Sequence, residues 1–311
     1  MGRLSKLRVV DPVLSTLATG YSNAEFVGSM LLPFVEVEKE GGKIPRFGKE
    51  SFKVYNTERA LRAKSNRISP EDIDSVDVNL DEHDLEYPID YREDAESAFP
   101  LEAHATSRVV EGIRLRHEKK VADLVQAPAN YPVGNKIALS GTDVFSDPNS
   151  DPEGVIDDAK DAIRAKTVKE PNTLVIGYKV WRQLKRHPKL KAILSDQRTR
   201  LVQLADLREI FEIQNIVIGK GVYQTDAGAI TDLWGGNLVL AYVPPGAPAA
   251  AGNAPVRSAY EPSFGYTLRK RSFPQVDTRT EDGKLEIVRN TDIFRPFLLD
   301  AEAGYLITGA A

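Results

Sequence analysis

The sequence of 311 residues contains no cysteine. This absence excludes disulfide bonds, thiolate metal sites and cysteine nucleophiles. Basic charge is not in excess either, because 41 Lys and Arg residues stand against 45 Asp and Glu residues. Proteins that grip nucleic acid through its phosphates usually carry a basic excess. The net charge of −4 therefore disfavours sequence-specific DNA binding and suits a surface that lies beside DNA without adhering to it.

Long apolar runs are also missing. Arg3, Lys6 and Arg8 imitate the start of a signal peptide, but Asp11 and Pro12 interrupt the apolar stretch that would follow. No segment reaches the roughly 20 apolar residues that a membrane-spanning helix needs. We therefore expect a soluble chain that is made in the cytoplasm and contacts no membrane.

Motifs for catalysis and metal binding are scarce. The four histidines show no metal-binding spacing, and His117 is expected to serve in packing or to lie at the surface. Asp77 to Asp81 resemble the start of a calcium loop, but Glu82 stands where that loop requires glycine. The spacing of these acidic residues is better explained by the alternation of a β-strand, and a site for a structural cation is the minor alternative. Gly219-Lys-Gly221 lacks the third glycine of a dinucleotide loop. We predict no catalytic residue, no cofactor and no metal.

Residues 35–91 form the most unusual segment. Alternating apolar and acidic residues predict strands near residues 35–38 and 76–81. From Leu85 onward the apolar positions change parity, which predicts a bulge near residues 82–84. The simplest shape is a long two-stranded excursion with a polar tip.

The two limbs of this excursion carry opposite charge. Residues 43–67 hold eight Lys or Arg against two Glu, whereas residues 71–96 hold twelve Asp or Glu against one Arg. An isolated hairpin is barely stable in water, and opposite charges in adjacent limbs suit docking between identical subunits. A solvated, partly disordered loop is the alternative. The residues predicted to lie at a subunit interface are Arg46, Lys49, Lys53, Arg59, Arg62, Lys64, Arg67, Asp72, Asp74, Asp77 and Asp81.

One long helix is predicted over residues 94–126, because apolar residues from Leu101 onward recur at spacings of four or eight. This apolar stripe consists of Leu101, Ala105, Val109, Ile113, Val121 and Val125. The opposite, polar face carries Arg108, Glu111, Arg114 and Glu118. A single apolar stripe indicates that the helix lies along a sheet or domain surface.

The rest of the chain alternates between helix and strand patterns, which is typical of an α/β domain. Asp151 and Pro152 predict the start of a helix, and Asp282-Gly283 predicts a hairpin turn. Buried or extended strands are predicted at 173–176, 216–219, 238–242 and 305–308, with a loop at 244–255.

This order of elements resembles the major capsid proteins of tailed bacteriophages, whose HK-ninety-seven fold also occurs in encapsulin nanocompartments. The strings that carry the resemblance are Ala24-Glu-Phe-Val-Gly28, Tyr87-Pro-Ile-Asp-Tyr91, Thr173-Leu-Val-Ile-Gly-Tyr178, Leu204-Ala-Asp-Leu207 and the tail from Asp300 to Gly309. The resemblance implies an α+β fold with five parts. These are an N-terminal arm (1–34), an extended hairpin loop (35–91), a peripheral domain with a spine helix (92–150), an axial domain (151–270) and C-terminal peripheral strands (271–311).

The resemblance further implies a shell of pentamers and hexamers around double-stranded DNA. It implies a separate scaffold protein and a portal as partners, and it leaves open whether a decoration protein is also present. Some members of the family crosslink covalently through a loop lysine, but no spacing around Lys49, Lys53 or Lys64 identifies such a pair. We therefore expect a noncovalent shell. Two alternatives remain, namely an encapsulin-like compartment and an α/β enzyme with residues 35–91 as a charged lid.

Overall fold

A computed structural model describes residues 26–46, 54–59, 61–62, 64–68, 74–98, 100–194, 201–246 and 263–311. The predicted arm before residue 26 and most of the predicted loop at 244–255 lie outside these residues. The helices are α1 (Gly28–Leu31), α2 (Tyr91–Glu96), α3 (Leu101–Val125), α4 (Pro152–Thr167), α5 (Tyr178–Leu184), α6 (Pro188–Ile193) and α7 (Leu204–Phe211). The strands are β1 (Phe34–Val37), β2 (Gly41–Arg46), β3 (Asp74–Asn79), β4 (Asp81–Asp90), β5 (Lys136–Ala138), β6 (Thr173–Gly177), β7 (Asn215–Gly219), β8 (Val222–Gln224), β9 (Ile230–Asp232), β10 (Leu238–Ala241), β11 (Gly265–Lys270), β12 (Gln275–Glu281), β13 (Leu285–Leu298) and β14 (Gly304–Thr308).

The first sheet has five strands in the order β1-β11-β13-β12, with β4 also paired to β13. The β4–β13 ladder is antiparallel and continuous from Asp81 to Asp90. The bulge predicted near residues 82–84 is therefore wrong. The strand is interrupted at Leu80, whose N–H donates to the carbonyl of Glu40. Parity changes there because β3 and β4 belong to different ladders, since β3 pairs with β2.

The long helix α3 lies across this sheet, as predicted. Its 25 residues span about 38 Å at 1.5 Å per residue. All six residues of the predicted apolar stripe are buried. The N-terminal half of this stripe packs on Ile89 of β4 and Val288 of β13. The prediction of a helix lying along a sheet is confirmed. Its predicted start at residue 94 is wrong, because Tyr91–Glu96 form the separate helix α2 and the long helix begins at Leu101.

The second sheet has the order β5-β14-β10-β6-β7. Every residue of β6 is buried, as the sequence predicts. Leu174 and Ile176 face the cluster that contains α4 and α7. Val175 faces the cluster that contains the C-terminal half of α3 and Trp234. This sheet is therefore covered on both faces.

The two sheets interleave along the chain. Asp282 and Gly283 both adopt positive φ, 51° and 66°, and with Lys284 they form a three-residue connection between the paired residues Glu281 and Leu285. This confirms the predicted hairpin. The last strand, β14, pairs with β10 and β5 in the second sheet, whereas β11 lies in the first. Strand pairing thus crosses the predicted domain boundary after residue 270 in both directions.

Glu118 is only 1% exposed, so its placement on the polar outer face of α3 is wrong. Its carboxylate accepts hydrogen bonds from the N–H groups of Val27 (3.0 Å) and Gly28 (2.8 Å), and from Trp234 Nε1 (2.8 Å). A Cβ atom on residue 28 would lie 2.8 Å from Glu118 Oε2, so this close approach requires glycine. Burial raises the pKa of Glu118, and the three donors oppose that rise.

Replacing Glu118 by Gln should strongly destabilise the subunit. The new amide N–H₂ would face a donor that now binds a carboxylate oxygen, and buried unsatisfied groups cost about 1–3 kcal/mol each. We expect the free energy of unfolding to fall by roughly 2–4 kcal/mol, measured by urea denaturation of the unassembled subunit. Glu102→Gln, on an exposed turn of the same helix, should change it by less than about 0.5 kcal/mol. Equal unfolding midpoints for the two variants would contradict this account.

Candidate subunit interface

The excursion leaves the first sheet as an antiparallel ladder of β2 and β3. Gly41 lies opposite Asn79, and Arg46 lies opposite Asp74. Ile44 and Val78 are buried at its base. The ladder joins the basic and acidic limbs within one chain, since Lys43 Nζ lies 3.6 Å from Asp77.

The tip of the excursion, here defined as residues 54–68, has a definite shape in its described part. The side-chain amide of Asn66 donates to the carbonyls of Asn56 (2.7 Å) and Glu58 (3.1 Å). The N–H of Glu58 in turn donates to Asn56 Oδ1. Arg62 adopts a positive φ of 67°. These hydrogen bonds link residues 56–58 to residue 66 across the tip.

The surface of the tip is both apolar and cationic. Val54, Leu61 and Ile68 are 96%, 90% and 62% exposed. Large apolar side chains with this exposure favour contact with a partner. The cationic side chains of Arg59, Arg62, Lys64 and Arg67 are all exposed. No ion pair forms at Arg62, Lys64 or Arg67 among the described residues.

The acidic limb, in contrast, finds partners within the chain. Asp81 lies 2.9 Å from Lys120 Nζ on α3, and Glu86 lies 2.7 Å from Arg279 on β12. Asp84 accepts a hydrogen bond from Thr291. The hydrogen bond from Lys120 lowers the pKa of Asp81. The limb that the sequence marks as a docking surface is therefore partly neutralised by its own sheet and helix.

Two histidines lie where the excursion meets α3. His83 on β4 stacks on Phe294, with ring centroids 4.3 Å apart, and its Nε2 lies 3.1 Å from Lys120 Nζ. His117 is buried, stacks on Phe34 at 4.6 Å and hydrogen-bonds Thr267 Oγ1 at 3.0 Å. The packing role predicted for His117 is confirmed. Burial, reinforced by the positive charge of Arg269, lowers its pKa to about 3.

The structure does not describe all eleven of the predicted interface residues. Lys49, Lys53 and Asp72 lie outside the described residues, and only the backbone is described for Arg46 and Asp74. The four cationic residues of the tip are exposed, whereas Asp77 and Asp81 form the ion pairs given above. The role of these eleven residues at an interface stays a prediction.

Lys120 is the functional residue that sequence reasoning missed. It holds Asp81 and His83 at the root of the excursion. Lys120 directly precedes Val121 of the apolar stripe, so it lies at the edge of the helix face that meets β4. This position in the sequence is the signal that could have identified it. Among the described residues, no group of three or more His, Asp or Glu is placed to hold a metal ion. None of the described helices is long and apolar enough to cross a membrane.

Solved structures define the class of protein. The chain is similar to a crystal structure of a phage-related protein from Bordetella bronchiseptica RB50, with a TM-score of 0.74, 33% identity and coverage of 97% of this chain and 98% of the other. The capsid structure of the cyanophage P-SCSP1u matches with a TM-score of 0.62 over 93% and 89% of the two chains. At 9% identity that likeness shows the fold alone. The fold is the HK-ninety-seven-like fold of phage capsid proteins, as the sequence resemblance implies.

Sequence comparison then gives the family. The family model described as phage major capsid protein E matches residues 16–253. The major capsid protein of Burkholderia phage BcepMu is 60% identical over 309 residues, which is 99% of each chain. The chain belongs to the phage major capsid protein E family and serves as a structural capsid protein. The encapsulin-like alternative receives less support, because this match along the whole chain is to a phage capsid protein.

The low pKa of His117 should make the subunit less stable in acid. A histidine whose folded pKa is depressed binds fewer protons when folded, so stability is lost as pH falls below its unfolded pKa of 6.5. Between pH 6.5 and pH 5 this group should remove roughly 1.5 kcal/mol of unfolding free energy. His117→Phe keeps an aromatic ring and cannot titrate, so its unfolding free energy should fall by that much less, as measured by urea denaturation at both pH values. Identical pH slopes would count against the assignment.

Proposed function

We propose that this chain assembles, without covalent crosslinks, into the pentamers and hexamers of an icosahedral phage head that encloses double-stranded DNA. The observation that carries the proposal is the tip of the excursion. Val54, Leu61 and Ile68 stand largely in solvent. The exposed cations Arg62, Lys64 and Arg67 of the same tip form no ion pair with the described part of the chain. A lone molecule gains nothing from this arrangement, whereas a neighbouring subunit would cover it.

The parts of the chain divide the work of assembly. In this scheme residues 35–91 lie over an adjacent subunit, and residues 92–150 supply the spine of the peripheral domain. Residues 151–270 surround the five-fold and six-fold axes, and residues 271–311 complete the peripheral domain. The arm, residues 1–34, adds a further contact. Individually weak contacts of this kind sum through multivalency, and symmetry closes them into rings and then into a shell.

The partners follow from the same scheme. The chain binds chiefly to copies of itself, and it works with a separate scaffold and a portal, with a decoration protein as an optional addition. Packaged DNA lies against a shell of negative net charge, −4 for each subunit, so it is held without sequence-specific binding. The chain is made in the host cytoplasm and ends in the virion. Its role is structural, without catalysis, cofactor or membrane contact.

The basic tip should bring an electrostatic component to assembly. We expect reversal of Arg59, Arg62 and Lys64 to Glu to abolish or strongly reduce particles seen by electron microscopy, because the tip would then repel the acidic surface that receives it. Particle yield of the unaltered chain should also fall as salt rises from about 0.1 M to 1 M, since the Debye length shrinks from about 10 Å to 3 Å.

The matched control exchanges the same three residues without changing their charge, as Arg59→Lys, Arg62→Lys and Lys64→Arg. This variant should assemble nearly as well as the unaltered chain. Both variants should remain folded by circular dichroism, because the three side chains are exposed. Particles of normal yield from the charge-reversed variant would refute the electrostatic role of the tip, and absence of particles from the unaltered chain under all assembly conditions would contradict the proposed function itself.

A further inference from the structure

The outer edge of β12 (Gln275–Glu281) faces solvent. All seven residues of the strand are exposed. On its inner side the strand pairs with β13 from end to end, and no described strand pairs with its outer side. Such an edge presents a row of unpaired N–H and C=O groups, which is a template for pairing with another chain. The strand contains no proline, which would block this pairing. β12 is therefore open to the addition of a further strand.

The charges in one row of this sheet alternate in sign up to the free edge. Asp277 of β12 lies opposite Arg289 of β13, with 3.1 Å between carboxylate and guanidinium. Arg289 lies opposite Glu86 of β4, and Arg279 of β12 lies 2.7 Å from Glu86 as well. The row from β4 to β12 is therefore acidic, basic and acidic, and it stops at Asp277. A further strand would match this row best if it placed a cation beside Asp277.

A second copy of β12 supplies that cation when it is turned end for end. Antiparallel pairing of the two strands about Thr278 places Asp277 of each copy opposite Arg279 of the other. On the other face the same register places Val276 opposite Thr280, and Thr278 opposite its own counterpart. Opposite charges and pairs of threonine side chains both stabilise cross-strand contacts. The sequence of β12 is thus complementary to itself.

Neighbouring registers lack this match. Pairing centred on Arg279 would place Arg279 opposite itself and Asp277 opposite Glu281. Pairing centred on Asp277 would place that carboxylate opposite itself, and parallel pairing in register would set every charge beside its own kind. Like charges directly opposite one another destabilise a pair of strands. The charge pattern therefore selects the antiparallel register centred on Thr278.

We propose that β12 of one subunit pairs antiparallel with β12 of a second subunit, centred on Thr278, so that the first sheets of the two copies form one continuous sheet. The inference rests on the proposed function and adds a contact between rings. A contact that uses the same surface on both copies is isologous and is complete with two copies. It therefore cannot build a ring, and it joins a subunit of one ring to a subunit of the next.

The absence of cysteine permits a test by thiol crosslinking. In the proposed register residue 278 of one copy lies opposite residue 278 of the other, with Cβ atoms about 4.5–5.5 Å apart. Particles of Thr278→Cys are treated with copper phenanthroline or with a short bismaleimide, and then run on a denaturing gel without reductant. They should give covalent dimers and no larger species.

Matched controls lie at the two ends of the same strand. In the proposed register Gln275 and Glu281 lie opposite one another, and each is about 20 Å from its own counterpart, which is six residues along the strand. Gln275→Cys and Glu281→Cys should therefore give no dimers singly, and they should give dimers when combined in one chain. Particles in which either Thr278→Cys or the combined variant yields no dimers overturn the strand contact and leave the proposed function standing.

An exchange of charges tests the register without cysteine. Asp277→Arg alone, or Arg279→Asp alone, would twice place like charges opposite one another in the pair of strands. We expect the protein concentration for half-assembly to rise roughly tenfold for each of these variants. The double variant Asp277→Arg, Arg279→Asp restores both pairs of opposite charge, and it should return that concentration to within roughly threefold of the unaltered chain.

Ion pairs within the chain make this exchange decisive. Asp277 bonds Arg289, and Arg279 bonds Glu86. The double variant breaks both bonds, so effects confined to one subunit would add and the double variant would assemble worst. Urea unfolding of the unassembled subunit measures those effects separately. If the double variant assembles no better than the single variants, the proposal is wrong. If the unaltered chain forms no particles, the proposed function fails and this inference fails with it.

Discussion

The arrangement of this subunit depends on one buried carboxylate. Burying a charge is unfavourable unless hydrogen-bond donors surround it, and Glu118 obtains three of them from parts of the chain far apart in sequence. The donors at Val27 and Gly28 fix where the N-terminal segment enters the domain. The donor at Trp234 fixes the loop that leads into β10 of the second sheet. All three must come together on α3 at once, because a missing donor would leave the charge uncompensated.

This constraint sets the relation between the two sheets. The N-terminal half of α3 packs on the first sheet, and its C-terminal half packs on the second. Glu118 lies between Val109 and Val121, which belong to these two contacts, so the carboxylate secures the helix where it passes from one sheet to the other. The excursion grows from the first sheet, through β4 and the ladder that precedes it. Its direction relative to the second sheet is therefore determined by the packing around one side chain, reinforced at its root by Lys120 and His83.

Local signals in the sequence predicted much of this fold. The apolar stripe of α3, the buried strand β6 and the turn at Asp282-Gly283 follow from periodicity and backbone preference, which act over a few residues. Strand partners were not predictable in this way, since β11 and β14 exchange sheets through pairings between distant residues. Glu118 was misplaced for the same reason, because helical periodicity does not show that α1 and Trp234 cover that turn. The charge-split excursion was visible in composition, but which carboxylates are already paired depends on tertiary neighbours such as Lys120 and Arg279.

Because the acidic limb is largely paired within its own chain, the exposed cations of the tip are the charges that remain to act between subunits. An exposed apolar loop is a liability in a free subunit, because two such loops can associate through their apolar surfaces. The exposed cations of the tip repel the same cations on another copy, so contact between two tips is disfavoured while contact with an acidic surface is not. Attraction and repulsion together select the partner surface more strongly than either alone. Burial of apolar area then provides the affinity of the contact, and charge provides its specificity. A subunit needs both if many individually weak contacts are to form one regular assembly.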